Sequence, residues 1–122
     1  MGSSSELTSR IIACATEVHN TLGPGSDEVV YQQALHRELI AAGLDAACEV
    51  GIEVSHRGIW HDNTQMDLVV DDCLIEVRAC EKLEDTHVAR AMSSLKASRN
   101  AMGLLINFGG PEIEVKRLEN TR

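Results

Sequence analysis

Gln65–Arg78 reads QMDLVVDDCLIEVR, and the fold turns on how this stretch pairs with itself. Two strand-like runs, MDLVV and CLIEV, flank Asp71-Asp72. If these aspartates are the two-residue loop of a tight hairpin, Val70 lies opposite Cys73. Counting outward, Asp67 faces Glu76 and Gln65 faces Arg78. Side chains alternate along a strand, so Gln65, Asp67 and Val69 share a face with Leu74, Glu76 and Arg78. Directly opposite side chains stand about 5 Å apart at Cβ. Two carboxylates at that distance need a counter-charge: a proton, an arginine or a metal ion. A slip of one residue would part them.

Around this hairpin the chain is a single small domain of 122 residues, with residues 1–5 expected outside the fold. At 43% hydrophobic it can bury a core, and that core must be aliphatic, because there is one Phe, one Trp and one Tyr. There is no apolar run of membrane-spanning length and no signal-peptide pattern at MGSSSEL, so a cytoplasmic protein is expected. Cys14, Cys48, Cys73 and Cys80 lack metal-binding spacing and read as buried free thiols. The net charge of −8 disfavours nucleic acid as a general partner. Against that, Arg78, Lys82, Arg90, Lys96 and Arg99 gather five of the eleven basic residues into one segment.

Leu7, Ile11, Ala15, Val18 and Leu22 predict a helix over about 6–22, with Ser3 and Glu6 as a capping box, stopped by Gly23-Pro24-Gly25. A second helix is expected over 26–42, with Ser26 as N-cap, an apolar side of Val30, Ala34, Leu35, Leu39 and Ile40, and Gly43 as C-terminal cap. From Ala46 the period becomes two, giving a strand through CEVGIEVSH with a bulge at Gly51. A turn at His56-Arg57-Gly58 leads to a short strand at Ile59-Trp60, and then the hairpin. Asp85 or Thr86 caps a third helix over about 86–100, and His87 reads as a surface residue of its first turn. GLLINF is a strand buried on both faces, and Glu112–Leu118 is an edge strand through which a homodimer can form. The order, approximately ααββββαββ, makes a mixed α/β sheet flanked by helices.

Several spaced motifs stand together in this order. Gly25–Tyr31 fits GxxExxY, and Gln33-Ala34-Leu35, Glu38-Leu39 and Gly43-Leu44 follow it. Then come Asp67–Val70, Ile75-Glu76, Lys82-Leu83, His87, Leu95-Lys96-Ala97, Gly103–Gly109 (GLLINFG) and Val115-Lys116-Arg117. The chain resembles the GxxExxY family of small bacterial and archaeal proteins, within the PD-(D/E)XK nuclease-like superfamily. The resemblance implies a restriction-endonuclease-like core and a phosphodiesterase site dependent on Mg²⁺ or Mn²⁺. It places Glu28, Asp67, Glu76, Arg78 and Arg90 in the catalytic set, and Asp67, Glu76 and the Val77 carbonyl as metal ligands.

Two of these positions depart from the family's pattern. Arg78 stands where the family has the lysine of E-x-K, and Arg90 stands where it usually has glutamine. Ser94 also replaces a frequent aromatic. Arginine stabilises charge but is no general base, and its planar fork pairs bidentately with carboxylates. Two arginines against three carboxylates leave about −1 of local charge instead of about −3. Weak metal binding and weak or lost activity are therefore expected. Tyr31 is open between a hydroxyl near the site and core packing. The alternative to a divergent nuclease is a non-catalytic binding or assembly module that reuses the fold.

Overall fold

The computed structural model describes residues 4–50, 66–98 and 100–120, and at 4, 49–50 and 66–67 it describes the backbone alone. The elements run α1 (Ser4–Leu22), α2 (Glu28–Ala41), β1 (Ala46–Val50), β2 (Met66–Val70), β3 (Cys73–Arg78), α3 (Asp85–Ser98), β4 (Met102–Asn107) and β5 (Glu114–Glu119). The five strands form one sheet in the order β1-β2-β3-β4-β5. Only β3 and β4 are parallel, joined through α3, and every other pair is antiparallel. The result is the mixed sheet flanked by helices that the motif order implies. The Ser3 half of the capping box, the bulge at Gly51, the turn at 56–58 and the strand at 59–60 lie outside the described residues.

The hairpin has the expected register: Val70 pairs with Cys73, Val69 with Leu74 and Leu68 with Ile75. Asp71 takes φ 53°, a left-handed conformation that aspartate tolerates better than most residues. That tolerance lets a two-aspartate loop close the turn.

Alternation along the strands then sorts the chemistry. Cys73, Ile75 and Val77 of β3, with Leu104 and Ile106 of β4, join one core with Ile11, Ala15 and Val18 of α1 and Leu35 and Leu39 of α2. The opposite face of β4 gives Leu105 to a smaller cluster with Leu83 and Ala91, under α3. Leu74, Glu76 and Arg78 must point toward this second face.

Three local expectations change. The N-cap of α2 is Asp27, not Ser26; the Ser26 N–H donates to the Tyr31 hydroxyl at 3.1 Å. The buried stripe of α2 is Tyr31, Gln32, Leu35 and Leu39, which leaves Val30 and Ile40 exposed. The helix is rotated by its one tyrosine, whose ring stacks on Phe108 at a centroid distance of 4.9 Å. Of the four free thiols, Cys14 and Cys73 are buried, Cys80 is half-buried and Cys48 is exposed.

The α2 terminus needs no correction. Gly43, at φ 85°, closes a Schellman motif with Gly43 N–H donating to Ile40 and Leu44 N–H to Leu39. Among the described residues, no helix is long and apolar enough to cross a membrane.

Candidate functional site at the end of the central strands

The parallel strands β3 and β4 end side by side at Arg78 and Asn107, which are register partners. Asn107 is in turn paired with Glu114 of β5. One row further into the sheet, Glu76 is paired with Leu105 and Leu105 with Lys116. On the other side, the hairpin register carried one step beyond Leu68–Ile75 sets Asp67 across from Glu76. Asp67 itself is paired with Glu49 of β1. Three acidic positions, Glu49, Asp67 and Glu76, therefore occupy one row across β1, β2 and β3. Glu49 carries no signal of its own in the sequence. Its place follows only once the β1–β2 register is known.

Glu76 is 2% exposed and Arg78 is 7% exposed. The guanidinium of Arg78 turns back along its own strand. Its Nη2 reaches Glu76 Oε2 at 3.1 Å, and its Nη1 donates to the Val77 carbonyl at 2.8 Å. A buried carboxylate so paired has its charge offset inside the protein. The backbone of Arg78 is also held, since its carbonyl accepts the Phe108 N–H at 2.9 Å.

The exit of β3 is fixed by a second set of contacts, centred on Asn107, which is fully buried. Its Oδ1 accepts the N–H groups of Cys80 at 2.9 Å and Gly109 at 3.1 Å. Its Nδ2 donates to the Cys80 carbonyl at 2.9 Å and to Glu114 Oε1 at 3.0 Å. All four capacities of the amide are thus used. The same Glu114 oxygen accepts the Leu83 N–H at 3.1 Å. These bonds hold the Glu114 carboxyl below its usual range: the Asn107 amide contributes most, and the Leu83 N–H, Lys82 and Lys116 add to it against a partial burial cost.

Gly109 completes the clamp. A Cβ there would meet the Cys80 carbonyl oxygen at 2.4 Å and the Ala79 carbonyl carbon at 2.6 Å. Only glycine allows this approach of the two backbones. The asparagine and glycine of GLLINFG therefore have a structural reason for their spacing. Glu114 could not have been singled out from the alternation of its strand.

Glu28 opens α2 and is half-buried. Its carboxylate lies near enough to Cys80 to raise the thiol, behind the larger effects of burial and of Glu114. Glu28 precedes Tyr31 by three residues, and the Tyr31 ring stacks on Phe108 just past the end of β4, so Glu28 stands at the same end of the sheet as Arg78. Arg90 is exposed on α3, and among the described residues it makes no ion pair. Tyr31 takes the core-packing alternative. Its ring is fully buried, and its hydroxyl donates to the Gly23 carbonyl while accepting the Ser26 N–H. His87 is half-buried rather than a surface residue, and its Nδ1 accepts the Glu84 N–H at 2.9 Å.

Among the described residues, Arg78 occupies two of the oxygens offered as metal ligands, Glu76 Oε2 and the Val77 carbonyl. A divalent ion takes carboxylate and carbonyl oxygens of this kind.

Comparison with curated proteins and with solved structures finds no match. In the comparison with protein families, residues 5–118 match the PD-(D/E)XK nuclease superfamily. That span takes in β1 to β4, β5 as far as Leu118 and both partners of the buried ion pair, so the chain belongs to the PD-(D/E)XK nuclease superfamily.

Proposed function

We propose that this protein is a divergent PD-(D/E)XK domain whose nuclease chemistry is weak or lost, its metal replaced by an internal arginine. One observation carries the reading. Arg78 holds the Glu76 carboxylate and the Val77 carbonyl at 3.1 and 2.8 Å, the two oxygens that would otherwise face a divalent cation. Lysine has a single ammonium on a flexible stem and cannot span both with a rigid fork. The arginine for lysine replacement is therefore a change of mechanism and not a conservative one. GxxExxY membership is part of the proposal. It is supported by Gly25–Tyr31, in which the tyrosine closes the loop that leads into Glu28. The free thiols agree with a reducing, cytoplasmic setting.

The test has two arms. In calorimetric titration with Mg²⁺ and Mn²⁺, the wild type is expected to show no saturable binding. Arg78→Lys is expected to gain a site that Glu76→Ala removes. In cleavage assays on single- and double-stranded DNA and on RNA, wild type is expected to be silent or slow. Gain of Mn²⁺-dependent cleavage by Arg78→Lys or Arg78→Lys/Arg90→Gln identifies a degenerated nuclease. Tight stoichiometric metal binding by wild type, with cleavage lost in Asp67→Ala, overturns the proposal.

A second reading is favoured by the same ion pair: a binding or assembly module that keeps the fold without the chemistry. Silence of all variants in both arms selects it.

A further inference from the structure

Glu28 reaches the end of β3 from a different layer than Glu76 does. It opens a helix packed on the α1–α2 face, whereas Glu76 points to the α3 face. Something must set the distance between them, and the contacts at Tyr31 are placed to do so. The Tyr31 hydroxyl bridges the Gly23 carbonyl and the Ser26 N–H, tying down the loop that delivers the chain to Glu28. Gly23 and Gly25 in this loop have φ of 67° and 110°, so its path depends on conformations that other residues rarely adopt. The Tyr31 ring stacks on Phe108 with planes 12° apart, and the Phe108 N–H is bonded to the Arg78 carbonyl. His19 flanks the same phenyl ring and is bonded through Nε2 to the Gly110 carbonyl at 3.0 Å. A continuous set of contacts therefore runs from the loop before Glu28, through Tyr31 and Phe108, to the backbone of Arg78.

We propose that Tyr31 is a positioning residue. Through its hydroxyl and its stacked ring it sets where the Glu28 carboxylate stands relative to the end of β3. This deepens the nuclease-type reading, and rests on it for the statement that Glu28 belongs to the site. The geometric claim can be tested without any catalytic activity. Cys80 supplies the reporter, since it is half-buried two residues past the end of β3, and the Glu28 charge is one of the smaller influences raising its thiol, after burial and Glu114.

The experiment measures the rate of Cys80 alkylation by iodoacetamide against pH, read at the Cys80 peptide by mass spectrometry. It uses the full chain as wild type, Glu28→Gln, Tyr31→Phe and the double variant. The thiolate is the reacting form, so removing the Glu28 charge is expected to speed alkylation roughly twofold near pH 8. With Tyr31→Phe, which keeps the ring and removes the hydroxyl, the effect of Glu28→Gln is expected to vanish. The double-mutant cycle isolates that coupling from any general loosening. Gly25→Ala is a second probe, straining the same loop at φ 110° without touching the ring, and is expected to abolish the effect likewise. A Glu28→Gln effect of equal size in all backgrounds overturns the proposal, as does no effect in any of them. Because no metal or nucleic acid enters, this failure is separate from a failure of the nuclease reading.

Discussion

The two faces of β3 are built from alternate residues of one hexapeptide and serve different ends. Cys73, Ile75 and Val77 enter an aliphatic core with two helices and need nothing beyond shape. Burial alone pushes the Cys73 thiol up to about 12, so it behaves there as a small apolar group. Leu74, Glu76 and Arg78 face the other way, and two of the three bring a full charge into a buried place. Apolar burial stabilises by about 25 cal/mol per Å² whatever the partner. A buried charge is stabilising only if each partner is in place. The first face therefore tolerates substitution of like for like, while the second is all or nothing.

The largest expected effect breaks the pair itself. Arg78→Met leaves the Glu76 carboxylate without its guanidinium and should lower stability by about 3–5 kcal/mol in urea unfolding. The double variant Glu76→Leu/Arg78→Met should recover most of that loss, because well-packed apolar residues often replace a buried ion pair at little cost. A single variant that loses less than about 1 kcal/mol would show that solvent already screens the pair. The contrast between the faces would then fail.

The next effect is steric and lies where the exits of β3 and β4 meet. Gly109→Ala drives a methyl group into the backbone of Ala79 and Cys80 and should cost about 2–3 kcal/mol. The strain acts on the loop directly after Arg78. The variant should therefore also speed Cys80 alkylation, while Cys73 in the apolar core stays protected. Equal exposure of both thiols would mean that the two faces unfold as one unit.

Much of this arrangement is legible in the sequence, for identifiable reasons. The hairpin can be read from Gln65–Arg78 because a two-residue loop fixes parity, and parity fixes faces. The edge position of β5 can be read from its charged alternation. The rotation of α2 cannot. Val30 and Ile40 look as apolar as Leu35 and Leu39, and the stack of Tyr31 on a residue 77 positions away (108 − 31) decides the outcome. The ion pair is half legible, since arginine in the lysine position is visible but its fold-back onto Val77 is not. Arg90 looks equivalent to Arg78 by motif, yet it sits exposed on α3. The clamp of Asn107 depends on its reach to the backbone of Cys80, 27 positions away, which no local pattern encodes.

A smaller, pH-dependent effect sharpens the contrast. The Glu114 carboxyl is held below its usual range by Asn107 and the Leu83 N–H. A depressed folded value means stability that is complete above the unfolded carboxylate range, near 4.3. That stability is lost as the pH falls through the lower folded value. The stability difference between wild type and Glu114→Gln should stay constant from neutral pH down to about 5 and shrink below about 4. The apolar core has no counterpart to this behaviour. A difference that persists unchanged into acid would assign Glu114 a packing role in place of an electrostatic one.

The smallest effect concerns the helix that covers the charged face. α3 starts at Asp85, and the His87 Nδ1 accepts the Glu84 N–H at 2.9 Å while the His87 N–H returns to the Glu84 carbonyl at 3.0 Å. This is the side-chain half of a capping box, with imidazole in the place of the usual glutamate or glutamine. His87→Ala should cost about 0.5–1 kcal/mol, seen as a melting point lower by a few degrees. His87→Gln should restore most of it, because glutamine can reach the same N–H. Ala91 and Leu95 anchor the rest of α3 by burial, so the loss should stay in the first turn, and the Cys80 alkylation rate should not change. If it does change, the start of α3 and the exit of β3 form one cooperative unit. The charged face would then be held by its helix as well as by its ion pair.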